Sequence, residues 1–172
     1  RPDAGTIRIA GHNLLAERRA ALTALSFLPQ APRFHPRLSA LQVADFYARL
    51  RGRASGSAEL ALADWGLNDH AHAPSGKLSG GLRQRLALAV FALADTPVLL
   101  LDEPGLSLDP EWRLRLQNFI TARARAGCTV LVATHLLGEW EGHADRCLRI
   151  EAGRYAGEIP PDRLRDAFFH PN

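Results

Sequence analysis

Apolar and polar positions along this chain fall into two rhythms. Short apolar runs occur at Leu25-Ser26-Phe27-Leu28, Val98-Leu99-Leu100-Leu101, Thr129 to Ala133 and Cys147-Leu148-Arg149-Ile150. Val98 to Leu101 is flanked by Pro97 and Asp102, the pattern of a strand buried on both faces; the two later runs read as further buried strands. Thr6-Ile7-Arg8-Ile9-Ala10 alternates between Gly5 and Gly11 and predicts a short strand. Helical spacing predicts helices over Leu14 to Ala24, Leu38 to Leu50, Ser57 to Trp65, Ser79 to Ala94, Pro110 to Ala126, Leu136 to Gly142 and Asp162 to Phe169. Leu41, Phe46 and Leu50 form the expected apolar side of the second of these, and Trp112, Leu116, Phe119 and Ile120 that of the fifth. Pro32 and Pro36 enforce a loop, Asn68 to Lys77 is a polar, His-containing loop, and Gly153 turns the chain into Arg154-Tyr155-Ala156.

Buried strands alternating with helices predict a parallel α/β sheet. The block from Ala31 to Asp95 breaks the alternation, being helical without a strand, and reads as a helical insertion. No internal repeat or low-complexity tract interrupts this plan.

Composition narrows the class. The chain has 172 residues, 47% apolar and 23% charged, which suits one globular domain and excludes a disordered, collagen-like or disulfide-scaffold protein. The longest apolar stretch, Leu86 to Leu101, contains Asp95 and Pro97 and is shorter than the ~20 residues of a membrane span. Arg1-Pro2-Asp3-Ala4-Gly5 has no apolar segment behind it, so no signal peptide is read there. Cys128 and Cys147 both lie in apolar runs, where buried reduced thiols are expected, and a reducing cytoplasm fits. The absence of Met implies that the natural chain starts upstream of Arg1. Of the 21 basic residues only Lys77 is a lysine, so a phosphate-binding lysine has a single candidate. The net charge of +3 is concentrated toward the front, but no basic run or aromatic interleaving marks a nucleic-acid surface.

Chemistry gathers at two places. The leucine run ends in Asp102-Glu103-Pro104, and open α/β sheets bind ligands beyond the carboxyl ends of their strands. One such carboxylate can hold a divalent cation while its neighbour can orient water, the division of labour that nucleoside triphosphate hydrolysis requires. Before the long helix, Leu78-Ser79-Gly80-Gly81 supplies a capping hydroxyl and two glycines whose backbone N–H groups an anion approaches closely.

Together with Leu82-Arg83-Gln84-Arg85, Ser107-Leu108-Asp109 and Thr134-His135, these stretches resemble the nucleotide-binding subunit of ABC transporters. Leu78 to Gly81 resembles the family's signature motif, with Leu82 where Gln is commoner; Asp102 and Glu103 resemble the Walker B aspartate and general-base glutamate, Asp109 the D-loop, His135 the switch histidine and Phe27-Leu28-Pro29-Gln30 the Q-loop. Pro2 to Gly11 is similar to the segment after the family's first helix, so the likeness covers nearly the whole chain. It implies a P-loop NTPase (RecA-like) α/β core over 1–30 and 96–172, with its N-terminal part missing. A helical subdomain over 31–95 would carry the signature motif at its end.

The resemblance implies roles by position. Asp102 and Gln30 would hold Mg²⁺, Glu103 would polarise the attacking water and His135 would contact the γ-phosphate of ATP. Ser79, Gly80 and Gly81 would close over the γ-phosphate of nucleotide held by a second copy in a head-to-tail dimer, and Asp109 would be a further nucleotide-binding residue. The other implied partner is a transmembrane permease, met at the cytoplasmic face of the membrane; no nucleic acid is expected. Residues 36 to 52 are similar to exporter-type subunits of the ABC-2 group, including those serving copper-enzyme maturation or drug efflux.

The family's phosphate loop, G-x-x-x-x-G-K-[ST], is absent and is expected upstream of Arg1; Gly105 stands where the family often has Thr or Ser. Lys77 does not replace that loop, because Leu78 follows it and Ala71 occupies the first glycine position.

Competing readings fare less well. Ser79, Asp109 and His135 follow the chain order of an α/β-hydrolase triad, but Lys77 sits where a nucleophile elbow needs Gly. A chromosome-type ABC ATPase would place a long coiled coil between Gln30 and Leu78, where no heptads are sustained; a translation-type one would carry two tandem domains. His70-x-His72 lacks a third ligand, no role falls to His12, His35, His143 or His170, and Trp65, Trp112 and Trp140 are read as packing anchors.

Overall fold

The computed structural model describes residues 2–165 of the chain. Strands β1 (Arg8–Ile9) and β2 (His12–Asn13) form a small antiparallel hairpin, shorter than the strand predicted over Thr6 to Ala10. Helix α1 (Arg18–Thr23) starts later than Leu14 because the Asn13 side chain takes the N–H groups of Leu15 and Ala16 into a local turn. After it come β3 (Leu25–Leu28), α2 (Ala40–Leu50), α3 (Ser57–Asp64) and α4 (Gly80–Ala92). The chain continues through β4 (Val98–Asp102), α5 (Pro110–Arg125) and β5 (Thr129–Ala133). The predicted helix over Leu136 to Gly142 is a single 3-10 turn, Leu137–Trp140, and the polar loop holds two more, Asn68–His70 and Ser75–Lys77. Of the last predicted helix only a 3-10 turn, Pro161–Arg163, is present; 166–169 lie outside the described residues.

Helix starts follow from their caps. Ser39 and Gln42 form a reciprocal capping box on α2, the Ser79 hydroxyl accepts the Leu82 N–H at 3.2 Å on α4, and Asp109 accepts the Trp112 N–H at 3.1 Å on α5, where Pro110 opens the first turn.

The central sheet is parallel, in the order β3-β4-β5, as the alternation of strands and helices predicts. Ser26, Leu99 and Val130 lie side by side on one face, followed by Leu28, Leu101 and Val132. This face packs into a continuous core with Leu86 and Leu88 of α4 and with Leu116 and Ile120 of α5. Each fully buried leucine contributes about 2 kcal/mol. Helix α4 is buried nearly all round from Leu86 to Phe91, as a central helix must be. Where the core must admit polar groups they pair: the Thr96 hydroxyl donates to the Ser26 hydroxyl at 3.0 Å.

Three expectations are corrected. Of the predicted apolar side of α2 only Leu41 packs against the core: Phe46 is 59% and Leu50 70% exposed, while Ala40, Val43, Ala44 and Ala48 are the buried residues of the helix. Small side chains sit where three helices meet closely, and size decided what hydrophobicity alone did not. Second, Cys147–Glu151 (β6) does not join the parallel sheet; it folds back on Arg154–Ile159 (β7) as an antiparallel hairpin and is largely exposed. Ala152 and Gly153, both with positive φ, make the tight turn that selects this local pairing. Third, Cys128 and Cys147 are free but only half-buried, and burial pushes the Cys147 thiol above its ordinary pKa.

The strand expected to be buried on both faces is covered on one. On the other, Leu100 is flanked in register by Phe27 and Leu131, which are 57% and 54% exposed, and β5 has no second strand neighbour among the described residues. An apolar face beside an open strand edge promotes self-association. The 172-residue chain is therefore expected to show light scattering that rises with concentration, and the double variant Phe27→Lys/Leu131→Lys to reduce it. A wild-type chain that stays monomeric and unfolds cooperatively at all concentrations would contradict this.

Candidate functional site

Because β3, β4 and β5 run parallel and in register, their carboxyl ends share one edge of the sheet. Gln30 lies two residues beyond β3, Asp102 ends β4 with Glu103 just after it, and Thr134 and His135 follow β5. Asp102 pairs in register with Ala133, so the acid pair and the Thr-His pair emerge side by side.

Glu103 is the pivot. Its N–H still donates to the Ala133 carbonyl at 2.8 Å, but its φ of 46° has left the strand for the left-handed region. That conformation costs a non-glycine residue about 1–2 kcal/mol. A turn with Pro104 and Gly105 at its centre, closed by the Leu106 N–H on the Glu103 carbonyl at 3.1 Å, holds it there. Thus aimed, the carboxylate is gripped on both oxygens. Oε1 accepts the His135 backbone N–H at 2.9 Å and lies 2.7 Å from His135 Nδ1; Oε2 accepts the Thr134 hydroxyl at 3.1 Å. The Leu136 N–H donates to that same hydroxyl at 3.0 Å and fixes its orientation. The Glu103 side chain is 15% exposed and that of His135 is 61% exposed, so the carboxylate is sheltered while the imidazole faces outward. A sheltered, directionally held carboxylate is suited to accepting a proton from water, and an outward imidazole to meeting an anion.

A second cluster lies along α4. Ser79 and Gly80 are exposed at its start, and the loop after Glu103 packs against it. A Cβ on Gly81 would stand 2.9 Å from the Ser107 carbonyl oxygen, so glycine is required there by a close backbone approach. The buried Gln84 amide donates to the Pro104 carbonyl at 3.0 Å. The Arg85 guanidinium stacks 3.9 Å from the centroid of the Trp112 ring, and its Nε donates to the Trp65 carbonyl at 2.8 Å. Burial lowers the Arg85 pKa, and the charges of Asp109 and Glu111 oppose that shift.

The residues singled out in the sequence thus form two groups. Glu103 and His135 come together, with Asp102 one residue before Glu103 in the chain and Gln30 exposed at the same sheet edge. Ser79, Gly80 and Gly81 lie against the 104–107 loop, and Asp109 is occupied as the α5 cap. Lys77 is exposed in the 3-10 turn before α4. The sequence pattern assigns no role to Thr134, Gln84 or Arg85. Thr134 directly precedes His135, but nothing in one sequence shows which atom its hydroxyl meets.

The oxygen donors at this edge are of the kind a hard cation takes. Asp102 offers a carboxylate and Gln30 an amide oxygen, and no group of three or more His, Cys, Asp or Glu side chains converges among the described residues. No helix among the described residues is long and apolar enough to cross a membrane.

A family profile described as "ABC transporter" matches residues 1–105. The chain is 33% identical over 169 residues to a daunorubicin resistance ATP-binding protein, DrrA3, of Streptomyces coeruleorubidus, covering 96% of this chain and 54% of that protein. It is 41% identical over 138 residues to a cytochrome c biogenesis ATP-binding export protein, CcmA, of Cupriavidus necator, covering 79% of this chain and 61% of that protein. The chain therefore spans little more than half the length of these two relatives. A solved ATP-binding subunit of an ABC transporter superposes with a TM-score of 0.85 at 22% identity, over 98% of this chain and 72% of that one, and shares its fold.

The packing against Ser107 separates the two glycines experimentally. Gly81→Ala is expected to lower stability by about 1–3 kcal/mol, since the obstructing atom is backbone. Gly80→Ala, whose Cβ would come no nearer than 3.8 Å to Ser107 Oγ, should change it by less than about 0.5 kcal/mol. Urea unfolding of the two variants beside the parent measures both, and equal effects would refute the packing argument.

Proposed function

Since the chain belongs to the ABC transporter family, as its match over residues 1–105 shows, we propose that it is part of an ATP-binding and ATP-hydrolysing subunit that powers export of a substrate through a partner permease. The observation that carries this reading is the Glu103 carboxylate, turned out of β4 by a positive φ and held by Thr134 and His135. Two relatives are named as ATP-binding proteins of drug resistance and of export, which supports the exporter class.

In this reading Glu103 accepts the proton of the attacking water, and His135, with its ring facing outward, contacts the γ-phosphate. Mg²⁺, when bound, neutralises charge on the phosphate oxygens, and Asp102 and Gln30 are the residues that would hold it. Ser79, Gly80 and Gly81 present a helix N-terminus to nucleotide on a second copy in a head-to-tail dimer, and Asp109, the α5 cap, is a further nucleotide-binding residue. Residues 31–95 act as the helical subdomain and 1–30 with 96–172 as the ATPase core, docked at the cytoplasmic face of the membrane. The 172 residues alone contain no G-x-x-x-x-G-K-[ST] loop, and this piece by itself is not expected to turn over ATP.

Glu103→Gln in the full-length subunit tests the assignment. It should keep ATP binding and dimer closure yet lose about 10²–10⁴-fold in turnover, the range for a general base. Steady-state phosphate release and equilibrium nucleotide binding measure the two quantities; unchanged turnover would sink the role.

A further inference from the structure

Three residues on one face of α4, Gly81, Gln84 and Arg85, have the i, i+3, i+4 spacing of helical neighbours, and each engages the segment that leads from Glu103 into α5. Gly81 abuts the Ser107 carbonyl, and Gln84, 4% exposed, donates to the Pro104 carbonyl one residue beyond Glu103. Arg85 stacks on Trp112, whose N–H is the one that Asp109 caps. The same guanidinium donates to the Trp65 and Gly66 carbonyls at the end of α3. Gly66 has a φ of 60°, and a Cβ there would strike Trp112 at 2.6 Å and Arg85 at 2.7 Å, so backbone, ring and guanidinium are tightly nested.

We propose that Gln84 and Arg85 are positioning residues that lock the Ser79-Gly80-Gly81 turn and the Glu103-to-Asp109 loop into one rigid body. The proposal rests on the proposed function for its consequence. The turn that covers nucleotide on a second copy and the carboxylate that serves the chain's own nucleotide then move together, so closing one site sets the geometry of the other. A simpler role, in which Arg85 merely finishes α3, predicts effects confined to that helix end.

Two measurements on the full-length subunit separate these roles. The variants are Arg85→Gln, which removes the cation; Trp112→Leu, which removes the ring; Gln84→Leu, which removes the amide; and Trp112→Phe, which keeps a ring face. Amide hydrogen exchange should quicken jointly at 79–83 and 105–109 in the first three variants and stay near the parental rate in Trp112→Phe. Turnover should fall about tenfold in the same three variants with the equilibrium affinity for ATP unchanged, and recover in Trp112→Phe. Faster exchange confined to 65–67, or ATP affinity and turnover falling together, overturns the proposal. If Arg85→Gln fails to fold, Gln84→Leu breaks an independent tie and bears the same test. Joint exchange in a parent that does not hydrolyse ATP would support the rigid coupling and overturn the proposed function instead.

Discussion

Parallel pairing of three strands in one register is the constraint on which everything else depends. Leu28 lies beside Leu101 and Leu101 beside Val132, so the chain leaves all three strands at the same level of the sheet. A parallel sheet forces the return segments to cross over its faces, leaving the carboxyl edge free for loops. Glu103, Thr134 and His135 meet there because each follows a strand end of that edge by only one or two residues. Sliding β5 by one residue would turn Val130 and Val132 out of the core, so the same leucines and valines that stabilise the sheet also align the site.

Strain and support are balanced at Glu103. The left-handed backbone turns its carboxylate toward β5, and three hydrogen bonds from two neighbouring residues hold it there. Behind it, Pro104 gives its carbonyl to a buried amide of α4. The strained residue is thereby fixed from both sides, by the end of β5 and by the helix that begins with the serine-glycine turn. Such a site keeps its shape through packing over a wide area.

Much of the site could be read along the chain because its residues are contiguous with strand ends and helix caps. An acid pair closing a leucine run, and a Ser-Gly-Gly before an apolar helix, are local patterns with local physical meaning. The contacts that join the pieces were not readable. Thr134 and Glu103 are 31 residues apart and Arg85 and Trp112 are 27 apart, and hydrogen bonds and stacking between them depend on where the fold brings the side chains. The misread faces have the same origin: Phe46 and Leu50 are apolar yet exposed, because α2 meets its neighbours through alanines and a valine.

The sequence by itself determined the alternation of strands and helices, the helix cap at Ser79, and the placing of Asp102, Glu103 and His135 just beyond apolar runs. Periodicity, capping and turn chemistry act over a few residues, and so they are written in the order of the residues. Tertiary structure alone decided which face of the sheet is covered and that Thr134, Gln84 and Arg85 support the site. Those outcomes follow from competition among distant surfaces for close packing and hydrogen-bond partners, and that competition is settled only in three dimensions.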